Sequence, residues 1–335
     1  MTTAELLSAL KAAGESTRLR LLALLASGEL NVKDLTRIMG QSQPRVSRHL
    51  KLLADAGLIE RFREGSWVFF RLAARGAQAD MARAIVASLD LTDADLERDR
   101  ARADAVLQER AEAAQAYFKA NAAEWDVIRA LHLAEDQVEA AALEALGPGP
   151  FECLVDLGTG TGRMLELFAP RARRAIGVDV NRDMLAYARA KLESSQLGHC
   201  QVRHGDLFSL GFADGEADAV ILHQVLHYLD DPAAALEEAA RILMPGGRLL
   251  IVDFAPHELE FLRDEHAHRR LGLEPAHVED WVTNAGLKLK LQRDLQPARN
   301  EGAQKLTVSF WVADKPGTRR ERGAGSVALQ LEGAS

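Results

Sequence analysis

The sequence predicts a multidomain protein of the α and α/β classes, in which a small helical domain with a β-hairpin precedes a larger domain built on a parallel sheet. In the first 76 residues, stretches with apolar residues at helical spacing lead into two strand-like runs. Beyond residue 150, short apolar runs alternate with amphipathic stretches, the pattern of a parallel sheet covered by helices on both faces. The length of 335 residues suits two or three domains that each bury a core.

Charge is distributed unevenly along the chain. The net charge is −8, but residues 1–76 carry twelve Lys or Arg and seven Asp or Glu, a net charge of +5 that leaves −13 for the rest. A basic module joined to an acidic body favours one surface for nucleic acid, with random variation of surface charge as the alternative. No run of eighteen apolar residues occurs and the N-terminus lacks a charged-then-apolar leader, so we expect a soluble cytoplasmic protein.

The first predicted elements are helices with clear start and stop residues. The apolar spacing over residues 6–25 predicts one or two helices broken near Gly14. Asn31 is a favourable N-cap for a helix over residues 32–39, and Gly40 lies where a left-handed residue ends a helix. The sequence therefore predicts short, well-delimited helices at the N-terminal end.

A further helix and a hairpin follow. Pro44 falls in the first turn of a helix predicted over residues 43–56, where its missing N–H is harmless. Strand-like runs at 58–63 and 67–72 are separated by three turn residues, which predicts a hairpin. Two helices joined by a four-residue turn and followed by a hairpin make a winged helix-turn-helix, which we assign to residues 1–76.

The middle of the chain is predicted to be helical and to lead into the parallel-sheet domain. Residues 77–116 are rich in alanine with alternating charges, typical of helices that bridge domains or pair in dimers, and we assign them to a helical dimerisation or linker segment. We assign residues 117–316 to a Rossmann-like domain with N-terminal helices, and residues 317–335, rich in glycine and charge, to a disordered tail. Strands are expected near 152–157, 174–179, 200–203, 218–222 and 247–253, with a final antiparallel pair near 286–295 and 305–313.

Residues 9–72 resemble the ArsR family of winged-helix transcription regulators. The resemblance lies in ALKA at 9–12, TRLRL at 17–21, SQPRVSRHL at 42–50, AGL at 56–58 and REG at 63–65. It implies that the helix over 43–56 enters the major groove of a double-stranded DNA operator, while the hairpin contacts the backbone or minor groove. A charged face on a protein-interaction domain is the alternative. The DNA-binding residues assigned in this way are Gln43, Arg45, Ser47, Arg48, Lys51, Arg61, Arg63 and Arg71.

The ArsR resemblance also implies a homodimer, formed through the first helix and the helices after the hairpin, and in many members metal sensing. Here Asn31 and Lys33 occupy the places where thiolates would bind a soft metal, and the ammonium of Lys33 cannot ligate while charged. Cys153 and Cys200 alone give neither a disulfide framework nor a zinc quartet. We therefore expect no metal and an effector that binds elsewhere.

A glycine-rich turn follows the first predicted strand of the larger domain. The segment VDLGTGTG at 155–162 permits a tight turn with the backbone close to a ligand. Asp179 ends the second strand nineteen residues after Gly160, a suitable place for a carboxylate that binds ribose hydroxyls. The glycines alternate at 158, 160 and 162 instead of following the G-x-G-x-x-G spacing, which argues against a dinucleotide.

The segments after this turn closely resemble class I methyltransferases of the UbiE-like group, also called type 11, over about 160 residues. They are HGDL at 204–207, ADAV at 217–220 with His223, and MPGGR at 244–248. The resemblance implies S-adenosylmethionine (SAM) or its product S-adenosylhomocysteine (SAH) as the ligand, with helix capping as the alternative role of Asp156 and Asp206. The cofactor-binding residues assigned in this way are Asp156, Gly158, Gly160, Gly162, Asp179, Val180, Met184, Asp206, Leu207 and His223.

The sequence identifies no catalytic residue. His223 and His227 lie four residues apart beyond the fourth strand, and either face the transferred methyl group or pack a helix. The segment 253–268 holds several histidines and carboxylates, and an exposed, charged helical insertion over the pocket explains it better than a metal cluster. By the methyltransferase resemblance, a lid helix would carry Tyr117, Phe118 and Trp125.

Two functions fit these features. In the first, a DNA-binding transcription regulator senses its cofactor, because ligand occupancy biases the dimer between geometries that do and do not fit two DNA half-sites. In the second, the domain methylates a small molecule or protein, and the winged helix targets or regulates it. Methyl transfer relies on positioning, so the lack of an evident base does not exclude an enzyme. We favour the sensor, because one chain that carries both domains makes cofactor supply an available signal; a scaffold with two degenerate sites is disfavoured by the intact site residues.

Overall fold

The computed structural model of the chain describes residues 1–64, 67–73, 76–125, 135–296 and 306–317. The N-terminal domain combines four helices with a small antiparallel sheet. Its helices and hairpin lie where the sequence predicts them, and β1 is an addition. The elements are α1 (Thr3–Ala13), α2 (Ser16–Ala26), β1 (Leu30–Asn31), α3 (Val32–Met39), α4 (Gln43–Asp55), β2 (Ile59–Glu64) and β3 (Trp67–Leu72).

Local sequence explains the helix-turn-helix formed by α3 and α4. The side chain of Asn31 accepts the backbone N–H of Asp34 at 2.9 Å, and Gly40 ends α3 with a φ of 62°. Leu35 and Leu50 are fully buried where the two helices pack on the core of the domain. The hairpin of β2 and β3, hereafter the wing, pairs with β1 in the order β1-β3-β2. The winged helix-turn-helix architecture is thus as predicted.

One long helix joins this domain to the rest of the chain. After α5 (Ala77–Ala87), α6 (Ala94–Asn121) runs for 28 residues, about 42 Å at 1.5 Å per residue. Near its start, Arg20 of α2 donates two hydrogen bonds to the buried carboxylate of Asp99, at 2.5 and 2.7 Å. Near its end, Gln115 accepts a hydrogen bond from Asn181 of the larger domain at 2.9 Å. The domain boundary predicted between residues 116 and 117 therefore falls inside a continuous helix, which contains no glycine or proline to interrupt it.

The larger domain is a seven-stranded sheet covered by helices. All the predicted strands are present, and the part of the predicted tail at 318–335 lies outside the described residues. Among the described residues, no helix has the length and apolar character needed to cross a membrane. The elements are α7 (Glu135–Leu146), β4 (Leu154–Leu157), α8 (Arg163–Phe168), β5 (Ala175–Asp179), α9 (Arg182–Ser194), β6 (Cys200–His204), β7 (Ala217–His223), α10 (Pro232–Ile242), β8 (Leu243–Phe254), α11 (Phe261–His266), α12 (Pro275–Asn284), β9 (Lys288–Leu295) and β10 (Val308–Asp314).

The strand order of this sheet places a crevice at its carboxyl edge. The order is β6-β5-β4-β7-β8-β10-β9, in which the first five strands are parallel and β10 is antiparallel to both neighbours. Buried apolar clusters cover both faces of the sheet. The direction of the crossovers reverses between β4 and β7, and open α/β sheets bind ligands at such a reversal, outside the carboxyl ends of the strands.

The pair between Arg20 and Asp99 attaches α6 to the N-terminal domain, and its loss should destabilise the protein. Arg20→Ala leaves the carboxylate of Asp99, which is 1% exposed, without its cation, and we expect a loss of about 2–4 kcal/mol in the free energy of unfolding. This loss is measured by urea-induced unfolding followed by circular dichroism. The matched control is Arg98→Ala on α6, the helix that carries Asp99; the pair of Arg98 with Asp95 is about half exposed and should contribute at most about 0.5 kcal/mol. Equal losses in the two variants would contradict this role.

Candidate functional site

The turn after β4 requires glycine at residue 158 and favours it at residue 160. Gly158 has a φ of 74°, and a Cβ at this position would lie 2.4 Å from Cγ2 of Val225. Gly160 also has a positive φ, of 52°. Gly162 has a different task, because it begins α8 and a Cβ there would lie 3.2 Å from the Cβ of Ala188. The first two glycines therefore bring the backbone to the crevice, whereas the third permits α8 to pack on α9.

Two carboxylates hold this turn in place. Asp156 is buried and accepts the hydroxyl proton of Thr159 at 2.6 Å. Asp179, at the end of β5, accepts the backbone N–H groups of Gly160 at 2.9 Å and Asn181 at 2.8 Å. Burial raises the pKa of Asp179. The Asp179 carboxylate is thus fixed at the crevice by backbone donors on both sides.

A cavity of about 1030 Å³ opens over this turn. It includes nearly all the residues that the sequence assigned to a cofactor; Gly162 is the exception. His223 also lines the cavity, but His227 is buried away from it and its Nδ1 lies 2.6 Å from Oδ1 of Asp253. Of the two roles considered for His227, packing is the one its position supports. The assigned residues that line the cavity are Asp156, Gly158, Gly160, Asp179, Val180, Met184, Asp206, Leu207 and His223.

The roof of the cavity is aromatic and comes from the end of α6 and the turn that follows it. The cavity is lined by the three aromatic residues that the sequence assigned to a lid, Tyr117, Phe118 and Trp125. A Cβ on Gly160 would lie 3.7 Å from Nε1 of Trp125, so the indole covers the glycine turn. Phe118 also meets Tyr228 edge-on, with ring centroids 4.9 Å apart.

The N-terminal domain forms part of the wall of the same cavity. Lys33 of α3 and Trp67 and Phe69 of the wing are among the lining residues. The guanidinium of Arg263, in α11, lies 4.7 Å from the ring centroid of Trp67. Sequence reasoning missed these residues. The sequence feature that could have pointed to them was the aromatic run at the start of β3, in a hairpin that had been assigned to DNA contact.

A group of buried charges joins the wing to the larger domain. Glu29 accepts a hydrogen bond from Arg270 at 2.5 Å and one from Arg71 at 3.3 Å. Burial opposes ionisation of Glu29, but the two guanidinium groups outweigh it and lower its pKa. Arg71 also pairs with Glu60 at 2.8 Å. The assignment of Arg71 to DNA therefore needs correction, because its guanidinium is committed to two carboxylates at the domain junction.

A second charged group connects the cavity to α3. Arg110 of α6 pairs with Asp34 of α3 and lies 4.0 Å from Asp230, which lines the cavity. Arg269 also pairs with Asp230. Burial raises the pKa of Asp230 and lowers that of Arg269 to about 10. One arginine on the shared helix thus bridges the helix-turn-helix and the cavity.

The other residues assigned to DNA lie on a surface away from this junction. Gln43, Arg45, Arg48 and Lys51 are exposed on α4 and Ser47 is half-buried, while Arg61 and Arg63 are exposed on β2. Val46, Leu50 and Leu53 face the core. His49 is half-buried with Nδ1 3.5 Å from Glu15, and burial lowers its pKa.

The segment 253–268 lies beside the cavity, as the predicted helical insertion would, but only part of it is exposed. Asp253 and His268 are buried, and α11 has only six residues, packed between the cavity and the wing. Burial lowers the pKa of His257 to about 4. Within the described ranges, no group of three or more His, Cys, Asp or Glu is placed to hold a metal ion. Asp253 pairs with His227, His268 stacks on Phe254, and Arg263 lies over Trp67 of the wing; these contacts do not follow from local sequence.

Comparison with known proteins agrees with both halves of this description. Residues 15–61 match the family model described as bacterial regulatory protein, arsR family, and residues 155–251 match the methyltransferase domain. The fold and site thus define a helix-turn-helix protein with a methyltransferase domain. More particularly, the chain carries an ArsR-type helix-turn-helix joined to a methyltransferase domain with UbiE-like relatives.

Several curated relatives illustrate this similarity. An uncharacterized 37.1 kDa protein in transposon TN4556 of Streptomyces fradiae is 39% identical over 112 residues, 32% of each chain. The uncharacterized methyltransferase YcgJ of Bacillus subtilis is 28% identical over 38% of this chain and 50% of its own. Demethylmenaquinone methyltransferase of Thermus thermophilus is 38% identical over 31% of this chain and 47% of its own. The matches to the first two relatives thus span 32% and 50% of those proteins.

Solved structures of methyltransferases are also similar. The YcgJ protein from Bacillus subtilis has a TM-score of 0.46 and 18% identity, covering 55% of this chain and 100% of that one. Geranyl diphosphate C-methyltransferase from Streptomyces coelicolor, solved with Mg²⁺, geranyl diphosphate and SAH, has a TM-score of 0.47 and 16% identity. It covers 54% of this chain and 77% of that one.

Removal of the Asp179 carboxylate should weaken cofactor binding. Asp179→Ala deletes the acceptor that holds Gly160 and that the sequence assigned to ribose hydroxyls, and hydrogen bonds to charged groups contribute about 1.5–3 kcal/mol. We expect the Kd for SAH, measured by calorimetry, to rise at least about tenfold. The control is Asp183→Asn, an exposed carboxylate on the adjoining helix α9.

The same carboxylate should make SAH binding pH-dependent. Because the pKa of Asp179 is raised, it takes up a proton at a higher pH than an ordinary aspartate, and SAH affinity should fall as the pH falls through that value. In Asp179→Ala this part of the pH dependence should disappear. An unchanged pH profile in the variant would contradict the role of Asp179.

Proposed function

We propose that this protein is a DNA-binding transcription regulator whose methyltransferase domain binds SAM or SAH and adjusts operator affinity to the cofactor state. One observation carries this proposal: a single cavity is lined both by the glycine turn of the methyltransferase domain and by Lys33, Trp67 and Phe69 of the DNA-binding domain. A ligand in that cavity is therefore in reach of both domains.

The residues at the glycine turn suit a nucleoside with an amino-acid tail. The backbone at Gly158 and Gly160, with Asp156 behind it, would hold the methionine moiety. Asp179 would accept hydrogen bonds from ribose hydroxyls, a role that its fixed position supports. The adenine would lie against Met184 and Leu207, and Asp206, Val180 and His223 would complete the site.

The shared charges offer a route from ligand to DNA. SAM and SAH differ by one methyl group and one positive charge, and Asp230 lines the cavity. Arg110 lies between Asp230 and Asp34, so a change in charge or volume beside Asp230 acts on α3, the first helix of the helix-turn-helix. For allosteric coupling, the ligand would have to favour one position of α3 over another.

On the DNA side, α4 would enter the major groove with Gln43, Arg45, Ser47, Arg48 and Lys51, and the wing would contact the backbone with Arg61 and Arg63. We place the protein in the cytoplasm, where bacterial operators lie. A homodimer is supported by α1, which exposes Leu6, Leu7 and Leu10 by 39%, 50% and 49%. A second copy would cover these leucines and present two α4 helices to two half-sites.

Operator affinity should depend on the cofactor. The operator is first selected from random duplex DNA, and its Kd is then measured by fluorescence anisotropy at fixed salt with no ligand, with SAM and with SAH. We expect the Kd of at least one liganded state to differ about fivefold or more from the ligand-free value. Equal affinities in all three states would contradict the sensor. The double variant Arg45→Ala/Arg48→Ala should lose DNA binding and keep its SAH affinity, because both side chains are exposed on α4.

Arg110 should carry the coupling. In Arg110→Gln the ratio of operator Kd values with and without SAH should move towards one, because the bridge between Asp34 and Asp230 is lost. The control is Arg37→Gln, which removes an exposed pair with Glu109 between the same two helices and should leave the ratio unchanged. Thermal unfolding verifies that each variant is folded. An unchanged ratio in folded Arg110→Gln would refute the route.

An active methyltransferase is the second candidate, favoured by the size of the cavity. The cavity of about 1030 Å³ lies at the upper end of the common range for ligand pockets, about 300–1,000 Å³, and would admit a small acceptor beside the cofactor. In such a reaction the acceptor's lone pair forms a bond to the methyl carbon, the bond from sulfur to carbon breaks, and sulfur retains the electron pair. SAH that accumulates with time in the presence of a defined acceptor would distinguish an enzyme from a sensor.

A further inference from the structure

We propose that α11 positions the wing on DNA, and that a ligand in the cavity thereby changes the number of phosphate contacts that the wing makes. The inference rests on the proposed function for the ligand and for the operator. It differs from the route through Arg110, because that route acts on α3 and this one acts on the hairpin. The observation that carries it is a series of side-chain contacts that leads from the roof of the cavity through α11 to Trp67.

The wing has two faces with different surroundings. Side chains alternate along a strand, and the pairing of β2 with β3 puts Phe62, Trp67 and Phe69 on one face. These rings meet α11 and α12 of the larger domain. Arg61 and Arg63 lie on the opposite face and are exposed. While the ring face is docked, the two arginines are therefore turned outward, where a phosphate backbone can reach them.

The wing is held differently at its base and near its tip. At the base, Arg71 pairs with Glu29 at 3.3 Å, and Glu29 pairs with Arg270 at 2.5 Å. Near the tip, the guanidinium of Arg263 in α11 lies 4.7 Å from the ring centroid of Trp67. A cation–π contact is easier to break than a buried ion pair. The position of α11 therefore determines how the tip is tilted about a fixed base.

The same short helix is joined to the roof of the cavity. The hydroxyl oxygen of Tyr117, in α6, lies 2.7 Å from Nδ1 of His266, the last residue of α11. His266 and Arg263 are three residues apart in the helix, so they lie on one side of it. Between them, Asp264 and Glu265 line the cavity. A ligand that shifts the roof or these carboxylates therefore shifts the helix that holds the wing.

Backbone hydrogen bonds close the loop that carries α11. The N–H of His257 donates to the carbonyl of Leu271 at 3.0 Å, and the N–H of Leu273 donates to the carbonyl of Phe254 at 2.8 Å. Leu262, inside α11, is buried in the core of the larger domain. The loop is therefore a compact unit, in which a displacement at one end of α11 reaches the other end.

The salt dependence of operator binding tests this proposal, because the slope of log Kd against log salt concentration counts neutralised phosphates. The Kd for the selected operator is measured by fluorescence anisotropy at several salt concentrations, first without ligand. Arg61→Ala/Arg63→Ala calibrates the contribution of the wing and should lower the slope by about 1.8, which corresponds to two phosphate contacts. Trp67→Leu and Arg263→Gln release the tip from α11, and each should lower the slope by at least about 0.9.

The control is Phe62→Leu, on the same face of the wing. Its ring meets His277 of α12, with ring centroids 5.2 Å apart, and this variant should keep the slope of the wild type. Thermal unfolding verifies that each variant is folded. The slopes are then measured again with saturating SAM or SAH. The ligand that changes the operator Kd should also change the slope of the wild type and should leave that of Trp67→Leu unchanged.

The positioning role of α11 would be overturned by equal slopes in the wild type and both α11-contact variants, by an equal loss in Phe62→Leu, or by an unchanged slope in Arg61→Ala/Arg63→Ala. Slopes that respond to the variants but not to a ligand that alters the operator Kd would overturn the regulation of the wing. Failure of the proposed function has a different signature. If neither SAM nor SAH changes the operator Kd, that function is refuted, and the slopes of the ligand-free variants still test the contact with α11.

Discussion

The relative placement of the two domains depends on charges at their junction, among them Arg110 on the shared helix, which lies between a carboxylate of each domain. Asp34 of the helix-turn-helix pairs with the Arg110 guanidinium, and Asp230 of the cavity wall lies 4.0 Å from it. Beside it, Glu29 and Arg270 form a second pair across the same junction. Buried ion pairs add little net stability, but a buried charge without its partner is strongly unfavourable, so such pairs select one relative placement of the domains. The wing and the cavity are therefore positioned by electrostatics as well as by apolar contact.

The continuous helix α6 connects the two domains along its length. The helix is anchored by Asp99 at the DNA-binding end and by Gln115 at the cofactor end, with Arg110 between them. An α-helix resists bending because each turn is held by its own hydrogen bonds, so displacement of the roof over the cavity moves the far end of the same element. Coupling of this kind is reciprocal: if the ligand alters DNA affinity, DNA alters ligand affinity by the same factor.

The contacts of residues 29–34 suggest how an ArsR-type domain would respond to the proposed nucleoside ligand. In the sequence, Asn31 and Lys33 stand where thiolates would bind metal. In the fold, Glu29 pairs with Arg270, Lys33 lines the cavity and Asp34 pairs with Arg110. The segment at residues 29–34 thus contacts the methyltransferase domain directly, and that domain takes the position from which an effector would act on α3.

Sequence by itself determined the local parts of this protein. The cap at Asn31, the left-handed Gly40, the glycine turn before α8 and the strands of the sheet depend on residues close together in the chain, so periodicity and turn chemistry predict them. The sequence also predicted that Asp179 lies at the crevice, because this residue ends the strand that follows the glycine turn.

Only the tertiary structure decided which surfaces meet. It directed His227 into the core and tied Arg71 to Glu29, and it brought Trp67 of the wing to the cavity. Glu29 and Arg270 are 241 residues apart, and no local pattern records their contact. The physical reason is that a side chain's partners at a domain junction depend on how two separately folded surfaces fit, whereas caps and strands depend on the chain's own neighbourhood.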